Sequence, residues 1–121
     1  MPVFSRMREG VLVLTVDGDY TANELRRVGF SAFESQGTPK RVPVLLDLSG
    51  AAGLARKSAA EIAATGAIFG AYRDRLSRIA VVASEEVSKL FDGQSAFATE
   101  AGVQVQACPS HADARSWLLG S

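Results

Sequence analysis

The residues best equipped to do chemistry lie in one loop. Gly53-Leu-Ala-Arg56-Lys57-Ser58 sets two cations and a hydroxyl just ahead of a helix start, where unsatisfied N–H groups and the helix dipole favour an anion. A phosphate or an anionic head group is the ligand such a loop would take. The stretch nearly spells the phosphate-cradling pattern GxxxxGK[ST], but Ala51 and Arg56 occupy the two glycine positions. Without those glycines the backbone cannot wrap phosphates. The strand Arg78-Ile-Ala-Val-Val-Ala83 carries no aspartate to hold Mg²⁺, so nucleotide hydrolysis is not expected. The plainer reading of the loop is solvated chain.

Two hydroxyls, Ser49 and Ser58, are candidates for phosphorylation. Ser58 is equally well explained as a helix cap, worth about 1 kcal/mol against alanine, although a phosphate at a helix start would be electrostatically favoured. His111 is the single histidine, and no carboxylate or serine is placed in sequence to make a recognisable catalytic set with it. It reads as a surface side chain in the first turn of the last helix. Asp17 and Asp19 flank Gly18, which marks them as turn residues rather than a carboxylate pair. Cys108, before Pro109, has no partner in sequence to activate a thiolate, and Trp117 reads as core. No nucleophile, base and oxyanion donor converge. No catalytic residue, metal site or cofactor is expected, and the chain reads as a non-enzyme.

These residues are positioned by one central unit. Val42, Val44, Leu45, Leu46 and Leu48 form an apolar strand of the kind buried on both faces of a sheet, which Asp47, Ser49 and Gly50 end. Before it, Val3 to Arg8 alternates weakly as a first strand, Glu9-Gly10 turns, and Val11 to Val16 is a second strand closed by Asp17-Gly18-Asp19. Thr21 and Glu24 have capping-box spacing, and Leu25, Val28, Phe30 and Phe33 give the helix a buried face until Gly37-Thr38-Pro39. Ser58 and Glu61 repeat the box for a second helix reaching about Arg75. A third strand, Arg78 to Ala83, leads to Ser84 and a third helix over Glu85–Gly102, with Val87, Leu90, Phe91 and Phe97 apolar and Gly93 as a brief break. Val103 to Ala107 is an edge strand, and Ser110 opens the last helix.

Strands alternating with helices of ten or more residues imply crossover connections and a largely parallel sheet. The expected fold is α/β, ordered β-β-α-β-α-β-α-β-α: a small mixed, mostly parallel sheet covered by about four helices, with the first hairpin adding an antiparallel edge.

The second helix is apolar nearly all round. Ala59, Ala60, Ala63, Ala64, Gly66, Ala67, Gly70 and Ala71 surround Ile62, Ile68, Phe69 and Tyr72. One face covers the sheet, and the rest packs on a neighbouring helix, forms a subunit interface, or lines an apolar pocket with Phe91 and Phe97 between the second and third helices. Gly66 and Gly70, four apart, would let another helix come close or let this one flex.

At 121 residues the chain suits one domain with a real core. One cysteine excludes an internal disulfide and suits a reducing compartment, so the cytoplasm is expected. Thirteen basic and thirteen acidic residues cancel, leaving no footprint of a nucleic-acid binder. The opening MPVFSRMREG lacks the apolar run of a secretory signal, and no stretch of about eighteen apolar residues would cross a bilayer.

The order of elements, with LLDLSG ending the central strand, RIAVVAS after the second helix and ADARSWL in the last, resembles the SpoIIAA-like branch of the STAS superfamily over nearly the whole chain. In its anti-sigma factor antagonists, a partner kinase phosphorylates a serine in an Asp-Ser-Ser-Gly type loop after the central strand. Here that loop reads Gly50-Ala-Ala-Gly-Leu-Ala-Arg-Lys57, with only Ser49 and Ser58 nearby. The branch is also similar in fold to CRAL-TRIO lipid-binding domains. The resemblance therefore implies binding rather than catalysis. One expectation is an apolar small molecule or lipid held by Ile62, Ile68, Phe69, Tyr72, Phe91 and Phe97, its head group on Arg56 and Lys57, with at most peripheral membrane contact. The other is a regulatory protein partner docked on the loop and second helix. A homodimer is a further expectation.

Overall fold

The computed structural model describes residues 3–35 and 37–120. Five strands form one sheet in the order β1-β2-β3-β4-β5: Val3–Arg8, Val11–Gly18, Val42–Ala51, Leu76–Val82 and Gln104–Cys108. β1 and β2 make an antiparallel hairpin, and every later pairing is parallel. Glu9 takes φ 51° and Gly10 φ 84° in the tight connection between them, a conformation in which glycine has no Cβ penalty.

The sequential strand order has a consequence for every side chain of the sheet. Right-handed crossovers that always step the same way put all their helices on one face. That face carries α1 (Ala22–Phe33), α2 (Ala59–Gly70) and α4 (Ala96–Ala101) over Leu12, Leu14, Val44, Leu46, Ile79, Val81 and Val105. The opposite face, with Val11, Val13, Leu45, Ala80, Val82 and Cys108, is covered, among the described residues, by α5 alone (His111–Leu118), through Ala114, Trp117 and Leu118. β3 is buried along both faces from Val44 to Leu48, which is why it reads as an unbroken apolar run.

The helices begin where their caps place them. Thr21 with Glu24, and Ser58 with Glu61, form complete capping boxes. Ser95 and Ser110 accept from the backbone three residues on. Ser84 has the extended N-cap backbone but makes no side-chain cap bond.

Three spans differ from the sequence expectation. α2 stops at Gly70, and a separate 3₁₀ turn covers Arg73–Arg75. β3 runs on to Ala51, so Asp47 lies inside the strand instead of ending it. The single helix expected over 85–102 is three pieces: α3 (Glu85–Ser88), a 3₁₀ turn at Lys89–Phe91, and α4. Asp92 breaks it. Its backbone is extended, its carboxylate accepts from the Gln94 N–H at 3.0 Å, and its carbonyl accepts from the Ser95 hydroxyl at 2.7 Å, so Ser95 caps a new helix. Asp side chains that bond the backbone locally compete with helix in this way.

Candidate functional site

The register places Phe4, Thr15, Asp47, Val82 and Cys108 in one row across the sheet, on the face that α5 covers. Asp47 is the carboxylate of that row and is 9% exposed. Such a group needs partners, and two converge on it. His111, in the first turn of α5, brings Nε2 to 2.7 Å from Oδ2, while Ser49 donates its hydroxyl to Oδ1 at 2.6 Å and its backbone N–H at 2.9 Å. Burial pushes the Asp47 carboxyl up, but the bonds from the Ser49 hydroxyl, from His111 and from the Ser49 N–H outweigh it and hold the group below the usual carboxylate range.

This constellation sits at the C-terminal end of the parallel strands, where α/β folds place their ligand sites. Ser49 is exposed there. It borders a cleft of about 190 Å³ walled by Leu48, Ala51, Gly53 and Leu54 on one side and by Ser84, Glu86 and Val87 on the other. The carboxylate stands between the serine and the histidine. A hydrolytic triad needs the histidine in the middle to take the serine proton, so the order found here holds a hydroxyl in place without activating it as a nucleophile.

The hydrophobic side chains expected to line a ligand pocket fill the core. Ile62 is 3% exposed, Ile68 6%, and Phe69, Phe91 and Phe97 are fully buried. Phe97 meets Phe69 and Phe91 with ring centroids 5.9 and 5.2 Å apart. Tyr72 packs across the end of α1, stacked on Phe33 at 4.9 Å and edge-on to Phe30 at 4.5 Å, and its hydroxyl donates to Glu34 at 2.8 Å. The glycines close the gap. A Cβ on Gly66 would collide with the Phe97 carbonyl, and one on Gly70 with the Glu100 carbonyl, so the backbones of α2 and α4 touch and leave no room between them.

The cationic loop divides in two. Arg56 is exposed. Lys57 turns inward with a side chain only 12% exposed: Nζ donates to the Tyr20 carbonyl at 3.2 Å, lies 4.6 Å from the Tyr20 ring centroid and 3.8 Å from Glu61. It borders a cavity of about 370 Å³ with Asp19, Tyr20, Glu61 and Thr65. Two carboxylates beside one engaged cation do not make an anion site. Ser58 accepts from the Glu61 N–H at 3.2 Å as the α2 cap.

Cys108 is 4% exposed, and burial first, then the charge of Asp113, pushes its thiol up, the reverse of what a nucleophile needs. Among the described residues no three His, Cys, Asp or Glu side chains gather as metal ligands, and no helix is long and apolar enough to cross a membrane. Sequence reading missed the Asp47–His111 pair. The one available signal was a charged residue inside an otherwise apolar strand, which demands a partner from somewhere in the fold.

No protein-family model matches the chain, and no curated protein does. Among solved structures it is similar to an uncharacterized protein from the DUF3478 family with a SpoIIAA-like fold from Shewanella loihica PV-4, at 14% identity and a TM-score of 0.60, covering 96% of this chain and 91% of that one. The chain has a SpoIIAA-like fold.

Proposed function

We propose that this domain is a non-catalytic protein-interaction module, of the kind represented by anti-sigma factor antagonists, which docks a regulatory partner on the loop after β3 with Ser49 at its centre. The observation that carries this reading is the exposed Ser49 hydroxyl, held at 2.6 Å by an Asp47 that His111 in turn fixes. It is a preorganised polar group on the rim of the sheet, beside a cleft too small for a lipid chain. Arg56 and the exposed Ala52 extend the same surface.

The same geometry makes Ser49 the better phosphorylation candidate of the two, because Ser58 is committed to its cap. A phosphate on Ser49 would replace a donated hydrogen bond with a dianion beside the Asp47 carboxylate. Docking would then be broken by like-charge repulsion. Apolar-ligand binding loses its support, since the side chains that would hold the ligand are core.

The test pairs two measurements. A photo-crosslinking residue at Ala52 is expected to trap one discrete protein partner in cells, and Ser49→Asp to abolish that adduct while Ser49→Ala keeps it. Native mass spectrometry of freshly purified protein is expected to show no small-molecule mass beyond the denatured chain. A co-purified ligand, or an adduct indifferent to Ser49→Asp, would overturn the reading.

A further inference from the structure

The five-stranded sheet has two edges, and they are built differently. β1 carries Arg6 and Arg8, both exposed. Charged side chains on an outer strand discourage pairing with another sheet. β5, Gln104-Val-Gln-Ala-Cys108, has neither charge nor proline until Pro109. Nothing in its sequence guards it. A groove of about 800 Å³ borders it, with Thr99 of α4 on one side and Trp117 of α5 on the other, and Gly93 reaches its wall, where a Cβ would stand 3.3 Å from the Val105 carbonyl.

The ends of this edge carry opposite charges. At the start of β5, Arg41 borders the groove, and Arg73 lies against Gly102, its Cδ 3.5 Å from where a Cβ there would stand. At the other end, Glu85 lines a second cleft of about 310 Å³ with Ala107, Cys108 and Pro109, and Asp113 is close enough for its charge to act on the Cys108 thiol. All four charged side chains are exposed. A second strand laid antiparallel on β5 presents its own end to this strand's beginning. If that strand is another β5, arginines meet carboxylates at both ends. A parallel copy would set like against like.

We propose that the outer edge of β5 is a docking surface for a second copy of this chain, paired antiparallel about a two-fold axis so that two five-stranded sheets join into one. The two-fold arrangement is self-complementary by construction. Main-chain hydrogen bonds supply affinity, as in other cases of strand addition, and the crossed charges choose the antiparallel register and speed encounter.

Sedimentation velocity over a concentration series to about 100 µM, well above the Kd of a modest interface, is expected to show a species of twice the 12.8 kDa chain mass. Gln104→Lys with Gln106→Lys, both at exposed positions, is expected to raise the dimer Kd at least tenfold with an unchanged circular dichroism spectrum. Arg73→Glu and Glu85→Arg should each weaken pairing, and the double reversal should restore it. A chain that stays monomeric throughout, a dimer untouched by the glutamine changes, or single reversals that the double variant does not rescue would each overturn the proposal. So would a β5 edge that takes only an extended peptide of another protein.

Discussion

Although 64 residues separate them, His111 Nε2 lies 2.7 Å from Asp47 Oδ2 and ties the start of α5 to the centre of the sheet. Asp47 is the group whose ionisation the Ser49 hydroxyl first, and then this contact, protects. Its folded carboxyl sits below the ordinary value of 3.8, so its contribution to stability is present above the unfolded value and lost as pH falls through the folded one. Asp47→Asn is therefore expected to cost about 1–2 kcal/mol at pH 7, the range for a hydrogen bond to a charged group reduced for a partner that is partly exposed. The gap to the unchanged chain should narrow as pH falls below the ordinary 3.8 and close once the folded carboxyl is protonated. Urea unfolding at pH 7 and over a descending acid series checks it, and a cost that does not change with pH would contradict the assignment.

The α2–α4 contact predicts opposite signs for one type of substitution. Gly66→Ala drives a methyl into the Phe97 carbonyl, which belongs to backbone and cannot swing away. A loss of about 3 kcal/mol is expected, at the upper end of overpacking costs. Gly29, inside α1, has nothing within 4 Å of its would-be Cβ. Gly29→Ala should stabilise by about 0.5–1 kcal/mol, because glycine in a helix interior costs that much relative to alanine. Thermal unfolding of the two variants side by side decides this, and equal shifts would mean that the helices do not touch as described.

Thr65 governs the hydroxyl of Tyr20. Thr65 donates to the Glu61 carbonyl at 3.1 Å, which leaves Tyr20 as the donor in the 3.4 Å bond between the two side chains. Both residues are buried, at 1% and 2% exposure. Thr65→Val strands the tyrosine hydroxyl and is expected to cost about 1–3 kcal/mol. Adding Tyr20→Phe removes the stranded group, so the double variant should be more stable than Thr65→Val alone. A double-mutant cycle in denaturant gives the answer. Burial, with the Glu61 charge, pushes the Tyr20 phenol above its usual 10.0, so the unfolded chain ionises first. Stability should therefore fall as pH rises past 10, less steeply in Tyr20→Phe.

Arg75 fastens the end of α1 to the chain that follows. Its Nε donates to the Lys40 carbonyl at 3.0 Å and its Nη2 to the Phe33 carbonyl at 2.6 Å. A planar fork reaches two acceptors at once, which an ammonium on a flexible stem does not reproduce. Arg75→Lys is expected to lose about 1 kcal/mol despite keeping its charge. Faster amide exchange should be confined to the 34–41 region, and global acceleration would point to a different role.

The strand pattern and the caps were legible along the chain because both are local. Val11 to Val16 and the Val42 run report burial directly, while Thr21–Glu24 and Ser58–Glu61 satisfy backbone donors within one turn, wherever the helix ends up. Strands alternating with helices then required a largely parallel sheet, and that is what forms. The site was not legible. Which face each crossover takes, and hence that α5 alone covers the side where Asp47 points, follows from sheet order, a property no local window contains. Gly66 and Gly70 allowed either a close helix or a flexible one, and only the α4 backbone lying against them decided it, turning a suspected ligand pocket into core. Ser49, Asp47 and His111 carry their chemistry in the sequence. Only the fold brings the histidine within reach of the other two, because a hydrogen bond across 64 residues depends on two distant elements packing at one height of the sheet.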